Sequence, residues 1–169
     1  VLFKGFATRD AQILKQVYIT YIRPVLEYAS SVWSPHLLKH INSIERVQKY
    51  FTKIIPSLKQ YSYPERLSLI GLEPLEVRRI KTDLILYYKS LHNLIAIPFN
   101  EYFNLQTHSS QTRSGGNRLI PSLCSTNRFE NDFFNRAVNC FNALPVSVVN
   151  NPTLISFKNA LCSVDVSNF

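Results

Sequence analysis

Apolar residues at helical spacing, cut into lengths by proline, constrain this chain more than any other feature. From Leu37 onward, Ile41, Ile44, Val47 or Gln48, Phe51, Ile54 and Ile55 follow one helical face, and Pro56 closes the run. Glu45 and Lys49 stand four residues apart, which assigns them to the outer side of that helix as a favourable pair. Upstream, Thr8 offers an N-cap followed by acidic Asp10, and Leu14, Val17, Tyr18 and Tyr21 share a face. Arg23 precedes Pro24 and is steered away from helical angles, so the chain is expected to bend there. Pro24 then opens a second, short helix that ends near Trp33-Ser34-Pro35.

The same punctuation continues downstream. A fourth helix is expected from Tyr63 or Pro64 to Ile70, with Gly71 as its C-terminal cap. The fifth and longest starts near Pro74, carries Ile80, Leu84, Tyr87, Leu91 and Leu94 on one face, and ends before Pro98. Between Asn100 and Asn127 polar residues crowd around Gly115-Gly116, and a short extended segment fits Arg118–Ile120. Helical spacing returns over Asn131–Leu144, with Phe134, Val138 and Phe141 on one side, until Pro145; a last helix over Pro152–Leu161 carries Leu154, Phe157 and Leu161. Only four glycines among 169 residues speak against a turn-rich all-β design. The fold class is therefore mostly α: a helical bundle over residues 1–97, an irregular connector with room for short strands over 98–128, and a helical C-terminal extension over 129–169.

Hydrophobic residues make up 46% and charged ones 18%, the mixture of an ordered chain. Cys124, Cys140 and Cys162 are odd in number, without a Cys-x-x-Cys pair, so they read as small buried hydrophobes in a reducing compartment. Lys4 and Arg9 interrupt the N-terminal apolar residues, so no signal peptide is expected among them. The apolar runs Leu84–Tyr88 and Leu94–Phe99 fall far short of the ~20 residues a membrane span needs, so no membrane partner is expected. With no Met and a start at Val1, the residues are expected to be a piece of a longer reading frame.

Net charge is +8, and it is concentrated early. Up to His92 the chain has fourteen Lys or Arg against seven Asp or Glu; from Asn93 it has five against four. A basic first half suits a polyanion, and it also suits ordinary solvated helix faces.

Specific words stand within this frame. Tyr21-Ile22-Arg23-Pro24, Leu26-Glu27-Tyr28 and Trp33-Ser34-Pro35 are followed by Tyr63-Pro64-Glu65-Arg66-Leu67, Gly71-Leu72, Leu75-Glu76 and Arg78-Arg79. Asp83-Leu84 with Tyr88-Lys89 comes next, then Thr112-Arg113, Phe133-Phe134 with Arg136, Asn142-Ala143-Leu144-Pro145, and Phe157-Lys158 with Leu161. In this order the words resemble the region just past the polymerase palm in reverse transcriptases of non-LTR, LINE-type retrotransposons, particularly the Jockey- and CR1-like lineages.

That resemblance implies a thumb-like bundle over 1–97 and a post-thumb extension, which hold template–primer duplex without reading its sequence. The implied partners are an RNA–DNA hybrid or DNA duplex and the missing palm and fingers of the same polyprotein. Localisation in cytoplasm and nucleus is implied as well. The family's chemistry uses adjacent palm aspartates with two metal ions. Asp10, Asp83, Asp132 and Asp165 are isolated, so no catalytic residue, enzymatic activity or cofactor is expected of these residues, and Mg is implied only for the missing palm.

The candidate contacts are Arg46, Lys49 and Lys53 as a basic stripe opposite the Ile/Phe face, helped by Arg23, Lys39 and Arg78, with Lys15 as a further neighbour. The alternative for the stripe is a solvated face. Arg78 and Arg79 splay by ~100° on a helix, so one is expected to pair with a carboxylate such as Glu76 or Asp83. Tyr18, Tyr21, Tyr28 and Trp33 read as core, whereas Tyr50, Tyr61 and Tyr63 are the better platforms for an unpaired base. His36 and His40 have i,i+4 spacing but no third ligand nearby, so no metal site is assigned. Two rival functions remain: a protein–protein scaffold segment of the polyprotein, and a decayed element remnant without activity.

Overall fold

The computed structural model describes residues 10–105, 119–121 and 126–166, and they are mostly α-helical. They divide into two compact units, before and after the Arg78–Arg79 bond. The division falls inside one helix, upstream of the change of composition near residue 97 at which the sequence suggests a boundary.

The first unit opens with α1 (Ala11–Val17), capped by Asp10, whose carboxylate accepts from the backbone N–H of Gln12 at 2.9 Å and Ile13 at 3.0 Å. Thr8, the expected cap, lies outside the described residues. Leu14, Val17 and Tyr18 are buried as their spacing requires, but Tyr21 is 62% exposed. The helix does not break at Arg23, which keeps φ −59° and ψ −42°. Instead the turn Tyr18–Ile22 widens into a π-helix that runs into α2 (Arg23–Glu27). The wider i→i+5 turn makes room for the Pro24 ring and removes the demand for the N–H it lacks, so the pre-proline preference is overridden.

Ala29, in the left-handed region at φ 51°, turns the chain into α3 (Ser30–Trp33). The long α4 (Leu38–Ile54) then ends before a 3₁₀ turn at Pro56–Leu58. Next, α5 (Tyr63–Ile70) starts at a capping box in which the Ser62 N–H donates to the Glu65 carboxylate at 2.8 Å. It stops at Gly71, whose φ of 62° is costly for any residue with a Cβ. Leu14, Tyr18, Phe51, Ile55, Leu58, Leu67, Ile70 and Leu72 form the core, with the Tyr18 and Phe51 rings 4.7 Å apart.

The helix α6 (Leu75–Leu91) gives its first turn to this unit and the remainder to the second. It equals α4 in length at 17 residues, and it ends at Leu91, before Pro98 as expected but short of Leu94. Asn93 adopts φ 52°, which leaves Leu94 55% exposed beyond the helix end. In the second unit Tyr87 is fully buried, its ring 4.4 Å from Phe141, 4.8 Å from Phe103 and 5.6 Å from Phe99. Tyr88 stacks on Phe157 at 4.4 Å and donates its hydroxyl to the Asn151 carbonyl at 3.0 Å. Buried Asp83 accepts from Arg136 Nε at 2.8 Å.

Short elements that the sequence pattern does not announce fill this unit: α7 (Phe99–Tyr102), α8 (Asn127–Glu130) and α10 (Val146–Val149). The longer α9 (Phe133–Ala143) and α11 (Leu154–Cys162) begin at the side-chain caps Asp132 and Thr153. Two-residue strands β1 (Asn104–Leu105) and β2 (Leu119–Ile120) pair antiparallel. The Asn142 carboxamide holds β2 from the side, accepting from the Leu119 N–H at 3.0 Å and donating to its carbonyl at 2.9 Å. Gly115-Gly116, Thr112-Arg113 and Cys124 lie outside the described residues. Cys140 is buried, as expected of a small hydrophobe, but Cys162 is exposed because it closes α11 on its solvent side.

The Tyr87 hydroxyl is buried without a hydrogen-bond partner among the described residues. Tyr87→Phe removes that unpaired group and keeps the ring contacts, so it should stabilise the protein by about 1 kcal/mol, read from urea midpoints at constant m.

Candidate nucleic-acid interface

The sidedness of α4 is set by what its inner face demands. Ile41, Glu45, Gln48, Phe51 and Thr52 are buried. Glu45 thus points inward, against the expectation of an outer Glu45–Lys49 pair. Its carboxylate takes the backbone N–H of Leu75 at 3.0 Å and a short hydrogen bond from the Tyr63 hydroxyl. Gln48, chosen by the fold over the exposed Val47, completes the network. Its amide oxygen accepts from the Tyr18 hydroxyl at 2.6 Å. Its nitrogen donates to Tyr63 Oη at 2.9 Å and to the Glu73 carbonyl at 3.0 Å. One polar cluster therefore ties α4 to the π-turn, the start of α5 and the start of α6.

Burial pushes the Tyr18 phenol above its ordinary value of 10.0, as do the Glu27 and Glu45 charges. Burial and the hydrogen bond to Glu45 raise Tyr63 in the same direction, and burial alone raises Tyr87. These phenols stay neutral in the folded state while unfolded ones ionise, so their contribution to stability is complete below pH 10 and declines above it. The melting temperature should accordingly fall steeply once pH passes about 10, together with a rise in tyrosinate absorbance.

Glu45 is the only carboxylate in α4, and it faces the core. The outer face carries Lys39, Arg46, Lys49 and Lys53, all exposed, and none of them makes an ion pair among the described residues. Lys39, Arg46 and Lys53 recur every seventh residue, a spacing that drifts only ~20° around a helix, so they form one line. Lys49 leans toward α5, with its ammonium 5.2 Å from the centre of the Tyr63 ring. The predicted stripe is thus a continuous cationic face with no carboxylate of its own.

The other predicted contacts do not join that line. Arg78 places its guanidinium fork on Glu27, with Nη2 to Oε2 at 3.0 Å and a shorter Nε–Oε1 contact. The hydrogen bond to Glu27 raises the Arg78 pKa, and Arg23 Nε stands 3.8 Å from the same carboxylate. The partner of Arg78 is therefore Glu27 rather than Glu76 or Asp83, while Arg79 is buried in the second unit. Lys15 lies back over Gly71.

The aromatic assignments are partly reversed. Tyr18 is in the core, but Tyr21 in the π-turn, Tyr28 at the end of α2 and Trp33 at the end of α3 are exposed. The Tyr63 hydroxyl is committed to Glu45, and its ring lies between Lys49 and Arg66. Tyr50 remains 68% exposed. His36 precedes α4 whereas His40 lies within it, so the two do not share a helix face, and no group of three metal-ligating side chains occurs among the described residues. No described helix is long and apolar enough to cross a membrane.

Sequence reasoning missed the Glu45–Gln48–Tyr63–Tyr18 network. A signal for it exists: Ile41, Glu45, Gln48 and Thr52 are spaced four, three and four apart, so they lie on one face beside Phe51. Comparison with family models, curated proteins and solved structures finds no match.

Proposed function

We propose that the chain is a non-catalytic thumb and post-thumb portion of a LINE-type reverse transcriptase. In this reading the outer face of α4 holds an RNA–DNA hybrid or DNA duplex by its phosphates. The observation that carries it is the line Lys39–Arg46–Lys53 with Lys49 beside it, on a helix whose one carboxylate is turned inward. Four cations in a row without ion pairs repel one another, and a polyanion relieves that repulsion. A helix face offering charge without a base-reading groove suits non-specific backbone contact. Palm and fingers would come from other parts of the same polyprotein.

Filter binding of a short hybrid duplex tests the proposal. Four phosphate contacts predict a slope of log affinity against log salt of about −3.6, measured between 50 and 200 mM. A slope near zero would reject it.

One observation favours a second reading, a protein–protein scaffold. Val25, Tyr28, Val32 and Leu38, in the stretch from α2 to the start of α4, are each more than 70% exposed. Large exposed apolar side chains gathered in one short stretch suit a protein surface. Salt-independent capture of a polypeptide partner, with no affinity for duplex, would favour it.

A further inference from the structure

The α4 face carries a feature that a purely phosphate-binding stripe does not need. Tyr50 follows Arg46 by one turn and precedes Lys53 by three residues, so its ring stands within the cationic line. It is 68% exposed and makes no hydrogen bond or ring contact among the described residues, so the fold has no use for it. Along a helix, Arg46 and Lys53 are ~10 Å apart, and a side chain leans toward the N-terminal turn, which sets the Tyr50 ring between the two charges. Phosphates recognise cations and cannot use a ring face. Bases inside a duplex are stacked on one another and offer no face either. A base that has left the stack offers one, with a phosphate on each side of it.

We infer that Tyr50 is a stacking platform for an unpaired base, so that α4 takes duplex carrying a single-stranded tail in preference to blunt duplex. This rests on the phosphate-gripping reading of the same face and narrows its substrate. Arg46 and Lys53 would hold the phosphates flanking the base, while Tyr50 covers the base itself without selecting its identity, because every base has a π-face.

The experiment compares the full 169-residue chain on two hybrids with the same paired region. One is blunt; the other bears a short tail with 2-aminopurine next to the duplex. The tailed hybrid should bind about 10-fold tighter, the size of one base–aromatic stack, and its fluorescence should be quenched on binding. Tyr50→Ala should erase both the preference and the quenching while leaving the salt slope unchanged, because no charge is removed. Tyr50→Phe should preserve them. Equal affinity for the two hybrids, or a preference that survives in Tyr50→Ala, overturns the inference while leaving phosphate binding intact. Failure to bind either hybrid overturns the phosphate reading and this one together, as does equal competition by polyglutamate.

Discussion

Replacing Arg46, Lys49 and Lys53 together with Gln should reduce the slope of log affinity against log salt by about 2.7, at ~0.9 for each phosphate no longer neutralised. If the electrostatic part vanishes near 1 M salt, that slope change amounts to an affinity loss of about 500-fold at 0.1 M. The melting temperature should stay within about 2 °C of the parent, because exposed surface substitutions rarely exceed ~0.5 kcal/mol. These side chains are exposed and carry no ion pair among the described residues, so the one use the fold makes of their charge there is the Lys49 ammonium over the Tyr63 ring, a contact worth about 0.5 kcal/mol at an exposed site. A collapse in melting temperature would instead assign them to the architecture and remove the basis of the proposed grip.

The second large effect lies on the opposite side of the same helix. Gln48→Leu keeps the volume but removes the acceptor for Tyr18 and the donor to the Glu73 carbonyl. Two buried groups left unsatisfied should cost about 2–4 kcal/mol, against a net worth near 1 kcal/mol for an ordinary hydrogen bond. For a domain of this size that corresponds to a fall of roughly 10 °C in melting temperature. Duplex affinity of the protein that remains folded should be unchanged. The two variants thus dissociate the functions of α4: the outer change alters binding without stability, and the inner change alters stability without binding. If Gln48→Leu melts like the parent, the buried network contributes nothing and the sidedness of α4 has another cause.

Much of the helical layout is legible in the sequence because prolines and caps fix ends locally. Pro56 bounds α4, Gly71 bounds α5 and Pro145 ends α9, each through a backbone constraint that needs no tertiary partner. Pro24 shows the limit of that reasoning. Its local preference for a bend gives way to a π-turn over Tyr18–Ile22, which carries the helix through Arg23 into α2 without a break. The outer stripe is legible for a similar reason, since it lies opposite an apolar face with an unmistakable period.

Glu45 is not. Charge places it outside, whereas the backbone N–H at the start of α6 and the Tyr63 phenol from a distant segment supply the partners that make its burial tolerable. Such partners are brought by the fold and have no local spacing. The same holds for Arg78, whose carboxylate lies 51 residues upstream in sequence. Helical spacing and the surrounding Leu and Val assign Tyr21, Tyr28 and Trp33 to the interior, yet the π-turn and the ends of α2 and α3 leave them in solvent.

The carboxamide of Asn142 impersonates a peptide unit. It offers Leu119 both halves of a strand's pairing, so β2 is fastened on that side by a side chain rather than by a third strand. Such a clasp has a single point of failure. Conversion of Asn142 to Asp exchanges one nitrogen for oxygen at nearly constant volume, and the Leu119 carbonyl then meets an acceptor where it had a donor. Spontaneous hydrolysis of that one amide would unfasten β2 while every apolar contact of the surrounding helices stayed in place, giving aged protein a loosened strand pair and an intact interior.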